Sequence, residues 1–278
     1  VRRALQTRGE GDSITEVLEL DTQVRLAITQ RDELNAERNR VSKEIGRMRS
    51  QGQEASEAVR AEMRKIGGQA DALNQQTKGL SDQINSLLLE LPNLPQPDVP
   101  VGEDESGSII VRQSGEPPVL DFSPQPHWDL GPELGIIDFE RGTKLAGSRF
   151  YTMLGAGPKL ERALIAWMLD LHTQEHGYTE VSLPAVVKRE IMEGSGNLPK
   201  FADNLYHDDE DDLWLIPTAE VPITNLYRDE IIPANTLPIK YVAQTPCFRR
   251  EKAAAGRDTR GIKRVHQFNK VEMYQFVE

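Results

Sequence analysis

From Leu20 to Met48 the positions 20, 24, 27, 31, 34, 38, 41, 45 and 48 step alternately by four and three, and seven of the nine are apolar, the exceptions being Arg31 and Arg38. A second run, Val59, Met63, Ile66, Ala70, Leu73, Thr77, Leu80, Ile84, Leu87 and Leu91, keeps the same step with only Thr77 polar. This alternation is a heptad seam and predicts two long helices with one apolar stripe each. The break at Ser50-Gln51-Gly52-Gln53 is short enough to fold them back on each other as an antiparallel hairpin. At about 1.5 Å per residue such an arm reaches roughly 50 Å.

The pattern then changes. Pro92, Pro95, Pro97 and Pro100 stop the helix and leave an extended connector, because proline lacks the amide donor and restricts the residue before it. The expected domains are residues 1–97, the helical arm, and residues 98–278. From about 105 to 158, apolar stretches such as Ser108-Ile109-Ile110-Val111 are broken by Gly and Pro, which predicts irregular structure with short strands. Leu160, Ala163, Leu164, Trp167, Met168 and Leu171 fall at helical spacing, and Tyr178 to Leu183 alternates like a strand before Pro184. Tyr241 to Arg250 and Gln267 to Val277 read as strands, and the acidic run from Asp208 to Asp212 as a solvated loop tip. Long helices first and strands later indicate an α+β fold.

Composition narrows the function classes. With 278 residues, 38% hydrophobic and 28% charged, the chain is ordinary globular material. No window approaches eighteen consecutive apolar residues and the first residues are not an apolar signal segment, so no membrane partner is expected and the expected location is cytoplasmic. The one cysteine, Cys247, leaves no internal disulfide, suits a reducing compartment, and has no thiol or histidine at zinc-ligand spacing, so no bound metal is expected from spacing. The first residue is Val1 and not Met, which implies processing or a missing start.

A net charge of −11 argues against binding nucleic acid over the whole surface. Positive charge is concentrated in two places. Arg38, Arg40, Lys43, Arg47 and Arg49 lie near the end of the first helix with only Glu44 between them, and Arg60, Arg64 and Lys65 follow the turn. A long rod with a basic tip can follow a nucleic-acid backbone, although charged outer positions are also what any solvated coiled coil carries. Between 249 and 270 there are eight cations and two anions, a net +6 in 22 residues. The strand-like flanks and small, Gly-containing middle predict a hairpin with a long loop. Period two places Arg249 with Glu251, and Phe268 with Glu272, on single faces. If the faces coincide, a guanidinium, an aromatic ring and a carboxylate converge on what could be a nucleotide site. A surface hairpin with alternating charge is the plainer alternative.

These residues have a known counterpart. Phe248-Arg249-Arg250-Glu251, with the loop and the strand through Phe268 and Glu272, resembles motif 2 of class II aminoacyl-tRNA synthetases, and specifically the bacterial-type seryl-tRNA synthetase family. Thr218-Ala219-Glu220, His127-Trp128-Asp129-Leu130, Gly147-Ser148-Arg149-Phe150-Tyr151 and the N-terminal helical hairpin agree with it. The resemblance implies an antiparallel sheet flanked by helices, a homodimer, and an arm laid on tRNA(Ser) through Arg38, Arg40, Lys43, Arg47, Arg49, Arg60, Arg64 and Lys65. It implies ATP and Mg2+ as cofactors, with Arg249, Arg250, Glu251, Arg264, Val265 and Phe268 at the nucleotide. Of these, Arg249 and Glu251 would be catalytic, Arg249 meeting the α-phosphate, Arg264 the γ-phosphate and Phe268 the adenine. Thr218, Ala219, Glu220, Arg249 and Glu272 would hold L-serine, and Pro184, matching motif 1, would mark the dimer interface. tRNA(Sec) is a further expected substrate of such an enzyme. None of His127, His172, His176, His207 and His266 is needed as a nucleophile. Motif 3 has no counterpart, and the family's first dozen or so residues are missing before Val1, so the chain is expected to be a fragment. Two other classes compete: a ligase loading an amino acid onto a carrier protein, against which the long arm counts, and a non-catalytic synthetase-derived binding protein.

Overall fold

The structure is a computed structural model describing residues 1–52, 54–252 and 260–278. It divides into two compact units, Val1–Gly115 and Glu116–Glu278.

In the first unit a short helix α1 (Arg2–Gln6) precedes α2 (Ser13–Ser50) and α3 (Glu57–Glu90), which pack along each other. All ten positions of the second predicted stripe are buried or half-buried, and in the first stripe only Arg38 stands exposed. The most deeply buried seam positions are Ala27, Ile66 and Ala70, the two alanines being small enough to let the helices approach. Arg31 keeps its place in the stripe by stretching its stem over the partner helix, ending 3.5 Å from Asn74 Oδ1 while pairing with Asp32. At the return, Gly52 takes φ +76°, a conformation that costs glycine little, and Ser56 caps α3 by accepting from the Val59 N–H at 3.4 Å. Leu91, at ψ 138°, is extended as the residue before Pro92 must be.

The prolines end the helix as expected, whereas the compact division falls after Gly115, so residues 98–115 group with the arm. The short strand expected at 108–111 does not form: Ile109, Ile110 and Val111 are exposed in irregular chain. Apolar β-branched residues become a strand only when they pair with a neighbour, and none of the described strands pairs with this segment.

The second unit opens with α4 (His127–Glu133), β1 (Ile137–Asp138), α5 (Phe139–Ala146), β2 (Thr152–Met153) and α6 (Ala156–Gln174). The chain continues through β3 (Thr179–Glu180), β4 (Val186–Lys188), α7 (Arg189–Gly194), β5 (His207–Asp208), β6 (Leu213–Leu215) and α8 (Glu220–Thr224). It ends with two ten-residue strands, β7 (Ile239–Phe248) and β8 (Gln267–Phe276), paired antiparallel from Ile239↔Phe276 to Phe248↔Gln267. The parallel β3 flanks β7, and β4, β6 and β5 form a separate antiparallel sheet. Val242, Ala243 and Cys247 of β7 are fully buried, together with Ile216, Val221 and Ile223. Pro184, between β3 and β4, is exposed.

Two sequence expectations shift here. The first long strand ends at Phe248, not at Arg250: the Arg249 N–H still bonds the His266 carbonyl at 2.9 Å, but the Arg250 N–H turns to the Asn204 carbonyl. The earlier strand shrinks from 178–183 to Thr179–Glu180, because the chain next to Pro184 leaves the β7 edge after the Val181 N–H bonds Val242.

Candidate nucleotide and amino-acid site

Along β8 the alternation of side chains puts Phe268, Lys270 and Glu272 on one face. The Arg249 guanidinium lies over the Phe268 ring, 5.2 Å from its centroid, and its Nε donates to the Pro217 carbonyl at 3.2 Å. Pro217 leads directly into Thr218, whose hydroxyl donates to Glu272 Oε2 at 2.8 Å. The loop before α8 thus delivers Thr218 onto β8, 54 residues away along the chain, and Arg249, Phe268, Thr218 and Glu272 share one pocket wall. Lys270 forms an ion pair with Glu272 and donates to Thr218 Oγ1 at 2.9 Å.

The two neighbours of Thr218 contribute differently. Ala219 is fully buried in the core with Ile223 and Ala243, so only its backbone faces the site. Glu220 is exposed at the start of α8, and its N–H donates to Thr218 Oγ1 at 3.3 Å.

Glu251 is not on the Arg249 face of a continuing strand, as period two implied, because the strand has ended and Glu251 takes φ +51°. That turn aims its carboxylate at Arg264, with 3.3 Å between NH1 and Oε2, while its carbonyl accepts from Arg149. Glu251 and Arg264 therefore meet by crossing the hairpin's open end. Arg250 points elsewhere, with its guanidinium 5.0 Å from the centre of the Tyr206 ring and its Nε buried without a hydrogen bond. Burial raises the Tyr206 hydroxyl's pKa, and the nearby Arg250 charge partly offsets that. Val265 is buried. Desolvation likewise raises the Cys247 thiol, consistent with an inert packing role.

One contact was not legible from residue types. The Ile262 N–H donates to His127 Nε2 at 2.8 Å, and Lys263 sits 6.0 Å from the Trp128 ring centre. A Cβ on Gly261, which has φ +72°, would lie 2.0 Å from His127 Nε2, so glycine is required for the approach. The His127-Trp128 pair at the start of α4 thereby clamps the returning leg of the loop, two residues before Arg264. Its only sequence signal was the His-Trp-Asp-Leu stretch. The middle of the loop, with Arg257 and Asp258, lies outside the described residues.

On the arm, Arg38, Arg40, Lys43, Arg47, Arg49, Arg60, Arg64 and Lys65 are all exposed. Arg40 pairs with Glu37, Arg60 with Glu54 and Arg64 with Glu57, surface pairs that yield readily to another anion.

The seryl-tRNA synthetase N-terminal domain profile matches residues 1–95, and the class II tRNA synthetase core domain profile (G, H, P, S and T) matches residues 201–278. Serine-tRNA ligase of Thermomicrobium roseum is 57% identical over all 278 residues. The chain carries a seryl-tRNA synthetase N-terminal domain and a class II synthetase core. A second relative, serine-tRNA ligase of Roseiflexus castenholzii, is 54% identical over the whole chain. The chain spans 62% and 65% of those two relatives' lengths. The solved seryl-tRNA synthetase of Pyrococcus horikoshii complexed with ATP superposes with a TM-score of 0.88 at 37% identity, over 99% of this chain and 66% of that one. Cytoplasmic serine-tRNA ligase of Naegleria fowleri in complex with AMP gives 0.80 at 28%, over 98% and 62%.

Proposed function

We propose that the intact protein uses ATP to activate L-serine as seryl-adenylate and transfers the seryl group to tRNA(Ser), with tRNA(Sec) as a second acceptor. The observation that carries this reading is the convergence of Arg249, Phe268, Thr218 and Glu272 on one wall, in a chain 57% identical to a serine-tRNA ligase. Adenine stacks on Phe268, and the Arg249 guanidinium binds the α-phosphate and the serine carboxylate. A serine carboxylate oxygen attacks the α-phosphorus in line, the bond to the β-phosphate oxygen breaks, and pyrophosphate leaves. The terminal adenosine hydroxyl of the tRNA then attacks the acyl carbonyl and AMP departs. No side chain serves as nucleophile. The chain contributes positioning and charge neutralisation, about 3 kcal/mol per well-placed donor. Glu272 takes the serine ammonium and hydroxyl with Thr218, and a buried partner left unbonded by alanine can supply about 10⁴-fold discrimination.

Among the described residues no three His, Cys, Asp or Glu are grouped to hold a metal. Mg2+ would enter on the nucleotide's phosphates, as a small hard cation commonly does. Glu251 contacts the adenine end and Arg264 reaches the γ-phosphate; because the two side chains are themselves ion-paired, the nucleotide between them is bent so that its ends approach each other. The basic arm tip reads the tRNA backbone. Leu160, Leu164 and Trp167 form an exposed apolar stripe on α6, which supports a homodimer through this helix and Pro184. No described helix is long and apolar enough to cross a membrane, and the reaction's tRNA substrate implies a cytoplasmic location. In the intact protein, Glu272→Ala is expected to abolish serine-dependent ATP–pyrophosphate exchange, and retained exchange would sink the assignment.

A further inference from the structure

Lys270 lies between Phe268 and Glu272 on the β8 face, and neither composition nor motif gave it a task. Its ammonium pairs with Glu272 Oε2 and donates to Thr218 Oγ1 at 2.9 Å, while Thr218 Oγ1 donates to the same carboxylate oxygen at 2.8 Å. One carboxylate oxygen and one hydroxyl, set close together in a half-buried wall, are the complement that a small primary ammonium ligand needs. Here the chain's own ammonium fills it.

We propose that Lys270 is a resident stand-in for the substrate's α-ammonium, occupying the Glu272–Thr218 subsite in the free protein and leaving it when the amino acid binds. The proposal rests on the assignment of Glu272 to the serine ammonium. The Glu272 side chain is only 18% exposed, so an unpaired carboxylate there would be costly, and the internal ion pair removes that cost. The Lys270 side chain is 32% exposed on a flexible four-carbon stem, so its charge can swing into water without a backbone change. Selectivity follows. A simple amine gains at Glu272 only what it takes from Lys270. A ligand carrying a carboxylate as well gains the Arg249 contact, and that surplus drives the exchange. Lys270 thus sets a threshold that every ammonium ligand must exceed, and a simple amine without the carboxylate falls short of it.

Ethanolamine, which has serine's ammonium and hydroxyl but no carboxylate, isolates the effect. Calorimetric titration of the intact protein should give ethanolamine binding about tenfold tighter or more in Lys270→Met than in wild type, with a similar gain for serine, since both displace the same ammonium. In Lys270→Arg ethanolamine should stay weak, because a cation remains at Glu272. A thermal melt verifies that each variant is folded. In wild type, the ¹⁵Nζ resonance of Lys270 should shift to that of a solvated lysine when serine is added. Ethanolamine affinity that is unchanged or weaker in folded Lys270→Met, or a Lys270 resonance unmoved by bound serine, would overturn the proposal while leaving the functional assignment intact. Tighter ethanolamine binding with no serine binding in wild type would instead overturn that assignment and, with it, serine as the displacing ligand.

Discussion

The arm and the β7–β8 hairpin are both antiparallel pairs, the first joined by a short return and the second by a long loop, and they are held in opposite ways. In the arm each stabilising contact repeats the previous one every seven residues, and the charged groups pair with near neighbours, as Arg40 does with Glu37 and Arg64 with Glu57. Around β7 and β8 almost every decisive contact joins distant segments: Thr218 to Glu272, Arg249 to Pro217, His127 to Ile262. The lesson is that a repetitive element tolerates local change, while the site depends on a few single contacts that nothing nearby can replace.

The sharpest way to break that contrast is to remove the arm. Deleting residues 30 to 85 should leave serine-dependent pyrophosphate exchange in the intact protein near normal and abolish tRNA charging. Charging at ordinary efficiency would show that the arm is not the tRNA reader. Next in size, Arg249→Lys should lower the exchange rate by about 10²- to 10³-fold, since an ammonium cannot make the bidentate contact; steady-state exchange kinetics measure it. His127→Ala should then raise the KM for ATP about tenfold with serine KM little changed, because the loss of one hydrogen bond to the Ile262 N–H frees the leg that carries Arg264. Equal changes for both substrates would show that His127 merely supports the fold. Smallest for catalysis is Ile66→Ala in the arm seam. It should destabilise the arm by about 2–4 kcal/mol in denaturant melts without altering exchange.

Much of the arm was legible because a helix's contacts are set by spacing. The seam named from residues 20 to 91 is the buried stripe observed, and even the polar Thr77 sits in it, its hydroxyl returned to the Leu73 carbonyl. Period two likewise placed Phe268 and Glu272 together. It misplaced Glu251, because a strand's end depends on where its partners stop, and the Asn204 carbonyl draws the Arg250 N–H away. The apolar run at Ile109 failed as a strand because it pairs with none of the described strands, and its apolar residues alone do not fix a partner. Lys270 left no readable signal, and His127 only its place in the His-Trp-Asp-Leu stretch, since an isolated histidine or lysine looks the same whether it meets water or a distant backbone.

Residue order alone settled the helical arm, the charge islands and the parity of side chains along β8, all of which arise from interactions a few residues apart. It took the folded chain to show that Thr218 meets Glu272, that Arg250 turns away from Arg249, and that the Lys270 ammonium already pairs with the Glu272 carboxylate. Most of those contacts join residues far apart in the chain, and the packing of the intervening core, not their spacing, brings them together.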